Sequence, residues 1–141
     1  MSETTTRAPR PRKEFRNLSL PEITLTYRLP LAGRLSILHR VSGALLFLAL
    51  PVILLPLFAM SVASPAGFAA FASVAANPFV KIVLLVLIWA YLHHFCAGIR
   101  YLLLDLHLGM DKESAKRSAG VAFGVSLALT VIFGLKLFGA F

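Results

Sequence analysis

The sequence predicts an all-α integral membrane fold with three transmembrane helices, and three observations carry that reading. Hydrophobic residues make up 58% of the 141 and charged residues only 14%, against about a quarter in soluble domains. Three apolar runs, about 41–60, 79–104 and 119–141, are each long enough for a ~30 Å hydrocarbon core at about 1.5 Å per residue. The formal net charge of +8 is gathered in the stretches around those runs. Such a distribution marks one side of a bilayer and does not indicate a nucleic-acid partner. Cys96 is the only cysteine, which excludes an internal disulfide.

Residues 1–16 are polar and rich in Pro, Arg and Thr. They lack an apolar signal core and carry Glu3 and Glu14, so they read as a retained cytoplasmic arm. The semi-apolar piece at 17–34, broken by Pro21 and Pro30, is expected to lie along the interface. Residues 1–40 thus form an arm and interfacial segment, and residues 41–141 the transmembrane domain. Pro51 and Pro56 fall inside the first span, where each removes a backbone donor and should bend the helix. The connection at 61–77 carries no charge and reads as short and non-cytoplasmic, with a half-turn at 65–71. Asp111–Arg117 reads as a hydrophilic loop. In the third span Gly120, Gly124 and Gly134 suit close helix contact, and Lys136 suits snorkelling. Lys and Arg crowd the N-terminal arm and the loop after the second span, so the positive-inside rule places the N-terminus in the cytoplasm.

The second span ends in Tyr91-Leu-His93-His94-Phe-Cys96-Ala-Gly98-Ile-Arg100-Tyr101-Leu-Leu-Leu-Asp105. Ionisable groups at membrane depth normally face a bundle interior and mark a ligand, ion or proton path. His94, Gly98, Tyr101 and Asp105 share one helical face, while His93, Ala97, Arg100 and Leu104 lie on a stripe about 100° away. A histidine with a glycine one turn later offers a nitrogen ligand above a gap for a flat group. Ser36, His39 and Arg40 share a face at the start of the first span, and an antiparallel second helix brings Arg100 to the same end. Arginine suits carboxylate recognition, and a serine beside it suits a quinone carbonyl. The plainer expectations are that His93, Trp89, Tyr91 and Cys96 pack, that Tyr101 anchors at the interface, and that His107 is solvated. Asp105 either caps the bundle end or pairs with an arginine.

Ser36-Ile-Leu-His39-Arg40-Val-Ser42-Gly43, followed by His94-x-x-x-Gly98-Ile99-Arg100 and Asp105, resembles the cytochrome b556 membrane-anchor subunits of succinate dehydrogenase, or respiratory complex II. The resemblance covers most of the chain. It implies a three-helix bundle shared with a second membrane-anchor subunit in a bacterial inner membrane. It also implies a b-type haem whose axial iron ligand here is His94, with the second axial histidine supplied by that partner. Ser36 and Arg40 match the family's ubiquinone-site residues, and His39 and Arg40 match positions near the haem propionates, where Arg100 is expected to join them. Where many relatives have histidine after Gly-Ile-Arg, this chain has Tyr101. An iron-sulfur subunit and a flavoprotein would dock on the cytoplasmic side, passing electrons from succinate to ubiquinone. The residues alone also admit a haem-free anchor or assembly protein and a proton-pathway subunit.

Overall fold

A computed structural model describes residues 29–140; the polar arm and most of the expected interfacial segment lie outside the described residues. Those residues form α1 (Leu31–Ala49), a π-helical turn (Leu50–Leu54), α2 (Leu55–Ala63), α3 (Pro65–Ala76), α4 (Pro78–Asp105) and α5 (Lys112–Leu137). Three helical stretches are long and apolar enough to cross a membrane: Leu31–Ala63 with 33 residues, Pro78–Asp105 with 28 and Lys112–Leu137 with 26. The chain is a multi-pass membrane protein.

The first of these begins at Leu31, well before the apolar run does, because Arg34, Ser36, His39 and Arg40 continue the helix with polar side chains. At about 1.5 Å per residue it is about 50 Å long, more than the ~30 Å core requires. The bend expected from proline takes the form of the π turn. Pro51 has no N–H for the Phe47 carbonyl, and the backbone widens until the Leu55 N–H reaches the Leu50 carbonyl.

Ser64 then leaves the helical region (φ −167°, ψ 165°), and its Oγ accepts from Gly67 N at 3.0 Å. With Pro65 in the first turn, this cap starts a 12-residue helix where the sequence suggested a half-turn. Asn77 repeats the device, its Oδ1 accepting from Phe79 N at 2.9 Å with Pro78 next, and α4 follows. The helix α5 starts at Lys112, inside the stretch expected to be a loop. Asp111 Oδ1 accepts from Ser114 N at 2.9 Å, and Glu113 in the first turn favours the positive end of the helix dipole. The Ser114 hydroxyl and then its backbone N–H hold the exposed Asp111 carboxyl below its usual range.

Both long helices end in the same two-bond cap. In α4 the Leu108 N–H reaches Leu103 O and the His107 N–H reaches Leu104 O; in α5 Ala140 reaches Leu135 and Gly139 reaches Lys136. The motif needs a left-handed residue. Gly139 (φ 80°) supplies it without cost, whereas His107 (φ 61°) carries a side chain there.

Helix α4 packs against both α1 and α5. Its buried positions are Leu87, Ala90, Leu92, His93, Ala97 and Arg100, of which Ala90, His93, Ala97 and Arg100 share one stripe. The centre of the packing is Leu35 with Ala97, Ala119 and Ala122, and the three alanines are small enough for the backbones to approach closely. At the far end a Cβ on Gly134 would lie 2.9 Å from Leu85 Cδ1, so this glycine admits α4. The other glycines expected to do so differ. Gly120 faces Leu31 at ordinary contact distance, and Gly124 faces open space. Ser126 and Thr130 are buried, and each hydroxyl donates to a carbonyl of its own helix, Phe123 at 3.0 Å and Ser126 at 2.7 Å.

Candidate functional site

The consecutive histidines of α4 point to different neighbours, as their 100° separation requires. His94 faces α1. Its Nδ1 lies 3.0 Å from the backbone carbonyl oxygen of His39 and 3.3 Å from Ser42 Oγ. The Ser42 hydroxyl donates to that same carbonyl at 2.9 Å. A carbonyl only accepts, so this arrangement puts the proton on Nδ1 and leaves the Nε2 lone pair available. The ring lies against the backbone of Gly43, where a Cβ would sit 2.8 Å from His94 Cε1 and 3.2 Å from Nδ1.

The His39 side chain returns to the same place. Its ring stacks on His94 with centroids 4.1 Å apart and planes within 11°, and Tyr101 lies 5.1 Å from it, tilted by 47°. The nearest atom to a Cβ on Gly98 would be His39 Nε2, at 3.8 Å. The gap that the sequence suggested beside Gly98 is therefore occupied by an imidazole of α1. Ser36 is half-buried and Arg40 exposed, both on α1 and about 6 Å apart by helical rise. Asp105 and His107 are exposed at the end of α4.

The other stripe of α4 faces α5. His93 is fully buried, stacked on Trp89 at 5.4 Å and tilted against Phe123 at 5.3 Å. Neither of its ring nitrogens has a hydrogen-bond partner among the described residues. Arg100 is 6% exposed and also turns to α5, where Nε donates to Ser118 Oγ at 3.0 Å and Nη2 to the Ala115 carbonyl at 3.3 Å. Of the residues singled out in the sequence, the structure thus joins His39 and His94. Ser36 and Arg40 stay within about a turn of His39 on α1, and Arg100 joins the α5 side instead. A cleft of about 540 Å³ between α4 and α5 includes Arg100 and Arg117, with Ile99, Leu103, Val121 and Val125 among its apolar walls. It touches none of Ser36, His39, Arg40 or His94.

Ser42 and Gly43 were not candidates from the sequence. Their signal is a small pair inside an apolar helix, one turn past His39, but spacing alone cannot show which distant side chain meets it. The described residues hold no group of three or more His, Cys, Asp and Glu side chains able to bind a metal by themselves. What they hold is one imidazole with its proton fixed on one side and its free nitrogen on the other. A porphyrin-bound iron asks that much of an axial ligand, whose second nitrogen is commonly held by a carbonyl.

Comparison with known proteins supplies the context. The succinate dehydrogenase/fumarate reductase transmembrane subunit family matches residues 11–133. A succinate dehydrogenase cytochrome b556 subunit of Paracoccus denitrificans is 35% identical over 106 residues, 75% of this chain and 81% of that protein. Subunits of the same description from Coxiella burnetii (29% over 109 residues, 77% of this chain and 87% of the other) and Rickettsia felis (28% over 106 residues, 75% and 82%) are also similar.

Proposed function

Because the chain belongs to the succinate dehydrogenase/fumarate reductase transmembrane subunit family, we propose that it is a cytochrome b556-type anchor whose His94 is an axial ligand of a b-type haem. The observation that carries this is the pairing of His94 Nδ1 with the His39 carbonyl at 3.0 Å, which orients Nε2 as the ligating nitrogen. Haem, when bound, supplies a one-electron carrier inside the bilayer.

The chain's own residues would then divide the work. Ser42 and Gly43 shape the seat of the imidazole. Ser36 and Arg40, together on α1, form this subunit's share of a ubiquinone pocket: Arg40 stays charged beside a quinone oxygen, and the Ser36 hydroxyl donates or relays a hydrogen bond. The buried His93, packed between Trp89 and Phe123, is a packing residue. A second membrane-anchor subunit contributes the other axial histidine. The iron-sulfur and flavoprotein subunits dock on the cytoplasmic side, the side where α1 begins and where Arg34, Arg40, Lys112, Lys116 and Arg117 lie in the sequence order of the spans. On this reading the N-terminus is cytoplasmic and the membrane is a bacterial inner membrane.

The test is the visible spectrum of the purified membrane complex, oxidised and then reduced with dithionite, for the wild type, His94→Leu and His93→Leu. The expected outcome is a b-type spectrum lost in His94→Leu and kept in His93→Leu. The reverse pattern, or no b-type spectrum in the wild type, refutes the assignment. For the quinone pocket, Ser36→Ala and Arg40→Leu should slow succinate-dependent quinone reduction; normal rates would remove both residues from that role.

A further inference from the structure

We infer that the cleft between α4 and α5 binds one anionic phospholipid of the surrounding bilayer, its phosphate at Arg117 and Arg100 and an acyl chain along the apolar walls. The site lies apart from the haem and quinone reading and does not rest on it.

The cleft has two parts because its helices run antiparallel. At one end, where α4 stops and α5 starts, it is lined by Arg100, Ser114, Arg117 and Ser118. Arg100 comes shortly before the end of α4 at Asp105, and Arg117 shortly after the start of α5 at Lys112. Each is about 8 Å from its helix end by rise, so the two cations stand at similar depth. Further along, the polar residues stop. Ile99 and Leu103 of α4 then face Val121 and Val125 of α5, all four exposed, over a floor that includes Cys96 and Ala122. Arg117 and Val125 are about 12 Å apart along the helix axis. Cations near a helix end lie at headgroup level, with hydrocarbon beyond them. A basic mouth with an apolar groove running inward from it follows the profile of a single lipid molecule.

Charge selects the kind of lipid. Both charged residues in the lining are arginines, and no acidic side chain among the described residues joins them. Glu113 stands one turn before Arg117 but lines a neighbouring recess with Leu31 and Lys116. The bonds of Arg100 to Ser118 and to the Ala115 carbonyl hold its guanidinium in place and leave its charge uncancelled. Arg117 is exposed, and its planar fork suits phosphate oxygens. A basic pocket between membrane helices is matched by an anionic headgroup, whereas a quinone ring is neutral and does not need two cations. At about 540 Å³ the cleft has the size of a small-molecule site. A further helix would be about 10 Å across.

The test uses the intact complex in phosphatidylcholine nanodiscs doped with phosphatidylglycerol that carries a photoactivatable diazirine on one acyl chain. Adducts are located by peptide mass spectrometry. They are expected on Ile99, Leu103, Val121 or Val125, and the same label on phosphatidylcholine should mark these positions at least about fivefold less. Arg117→Gln should cut the phosphatidylglycerol signal about fivefold, and Arg117→Lys should keep most of it. Val121→Trp fills the groove and should abolish the signal with both arginines present. Lys116→Gln removes an equal charge one residue away and should change nothing. Equal labelling by the two lipids, or an undiminished signal in Arg117→Gln, would reduce the site to ordinary boundary lipid and overturn the inference. Absence of adducts in the groove would overturn it in favour of cover by another subunit. Displacement of the label by a short-chain ubiquinone would overturn it in favour of a quinone. If Arg117→Gln does not assemble, the comparison of the two lipids in the wild type and the Val121→Trp result still decide.

Discussion

The imidazole of His94 rests on the α-carbon of Gly43: a methyl group added there would fall 2.8 Å from Cε1, closer than carbon atoms approach. The contact joins the two elements that carry the site, α1 and α4, at a place where neither can yield cheaply. Helical backbone lies on one side. On the other, a ring is held by a hydrogen bond and a stacked neighbour.

Gly43→Ala should therefore displace the ring and weaken its bond to the His39 carbonyl. Overpacking of this kind costs about 1–3 kcal/mol. The expected outcome is a complex with reduced haem occupancy, measured as haem per protein, together with earlier thermal loss of the b-type spectrum. Gly124→Ala, a change of the same size where the added methyl meets none of the described residues within 4 Å, is the control and should be silent.

The fully buried His93 presents the opposite case. Among the described residues its ring nitrogens have no hydrogen-bond partner, and polar atoms left so in an apolar setting cost about 1–3 kcal/mol. His93→Phe keeps a flat ring between Trp89 and Phe123 and removes both polar atoms. Thermal unfolding of the complex should be unchanged or shifted upward. A clear loss of stability in His93→Phe, with His93→Gln restoring it, would show that the imidazole has a hydrogen-bond partner in the assembled complex.

Arg100 and Ser118 form the polar tie between α4 and α5. A hydrogen bond from a charged donor contributes about 1.5–3 kcal/mol. Ser118→Ala should lower thermal stability by an amount toward the bottom of that range, since the Ala115 carbonyl still accepts from Nη2. Arg100→Leu should cost more. The Ser118 change should leave the haem spectrum in place, because this tie lies on the α5 side of α4.

Asp111 gives a pH dependence of known sign. Its carboxyl titrates below the ordinary value of 3.8 because Ser114 donates to the charged form. A folded pKa depressed in this way contributes stability that is present above the ordinary value and lost as pH falls through the depressed one. Amide exchange at Ser114, corrected for its intrinsic pH dependence, should stay protected down to about pH 4 and lose protection below it. In Asp111→Ala the protection should be weak throughout.

Much of this architecture is written in hydropathy. Long apolar runs, the first two parted by an uncharged stretch and the last two by a charged one, define three spanning helices, and the 3.6-residue period separates the His94 face from the His93 face in the sequence itself. Other features depend on information that a local pattern lacks. The early start of α1 escapes a hydropathy reading because Arg34, Ser36, His39 and Arg40 are polar although helical. The helix α3 escapes it because its start depends on a cap at Ser64 followed by Pro65. Arg100 shows a further limit: periodicity identifies its face but not which helix meets that face, and the structure sends it to Ser118. Gly43 becomes legible only when α4 is laid against α1.

The two stripes of α4 make the order of residues more consequential than their composition. Inserting one residue anywhere between Asn77 and His93, with the helix anchored at its Asn77 start, would turn everything downstream by about 100°. An imidazole built for α1 would then look elsewhere, and its neighbour's stripe would change partners too. Hydropathy along the span would scarcely register the event. In this protein the membrane tests how greasy a helix is, but the contents of the seat beside α1 are decided by counting.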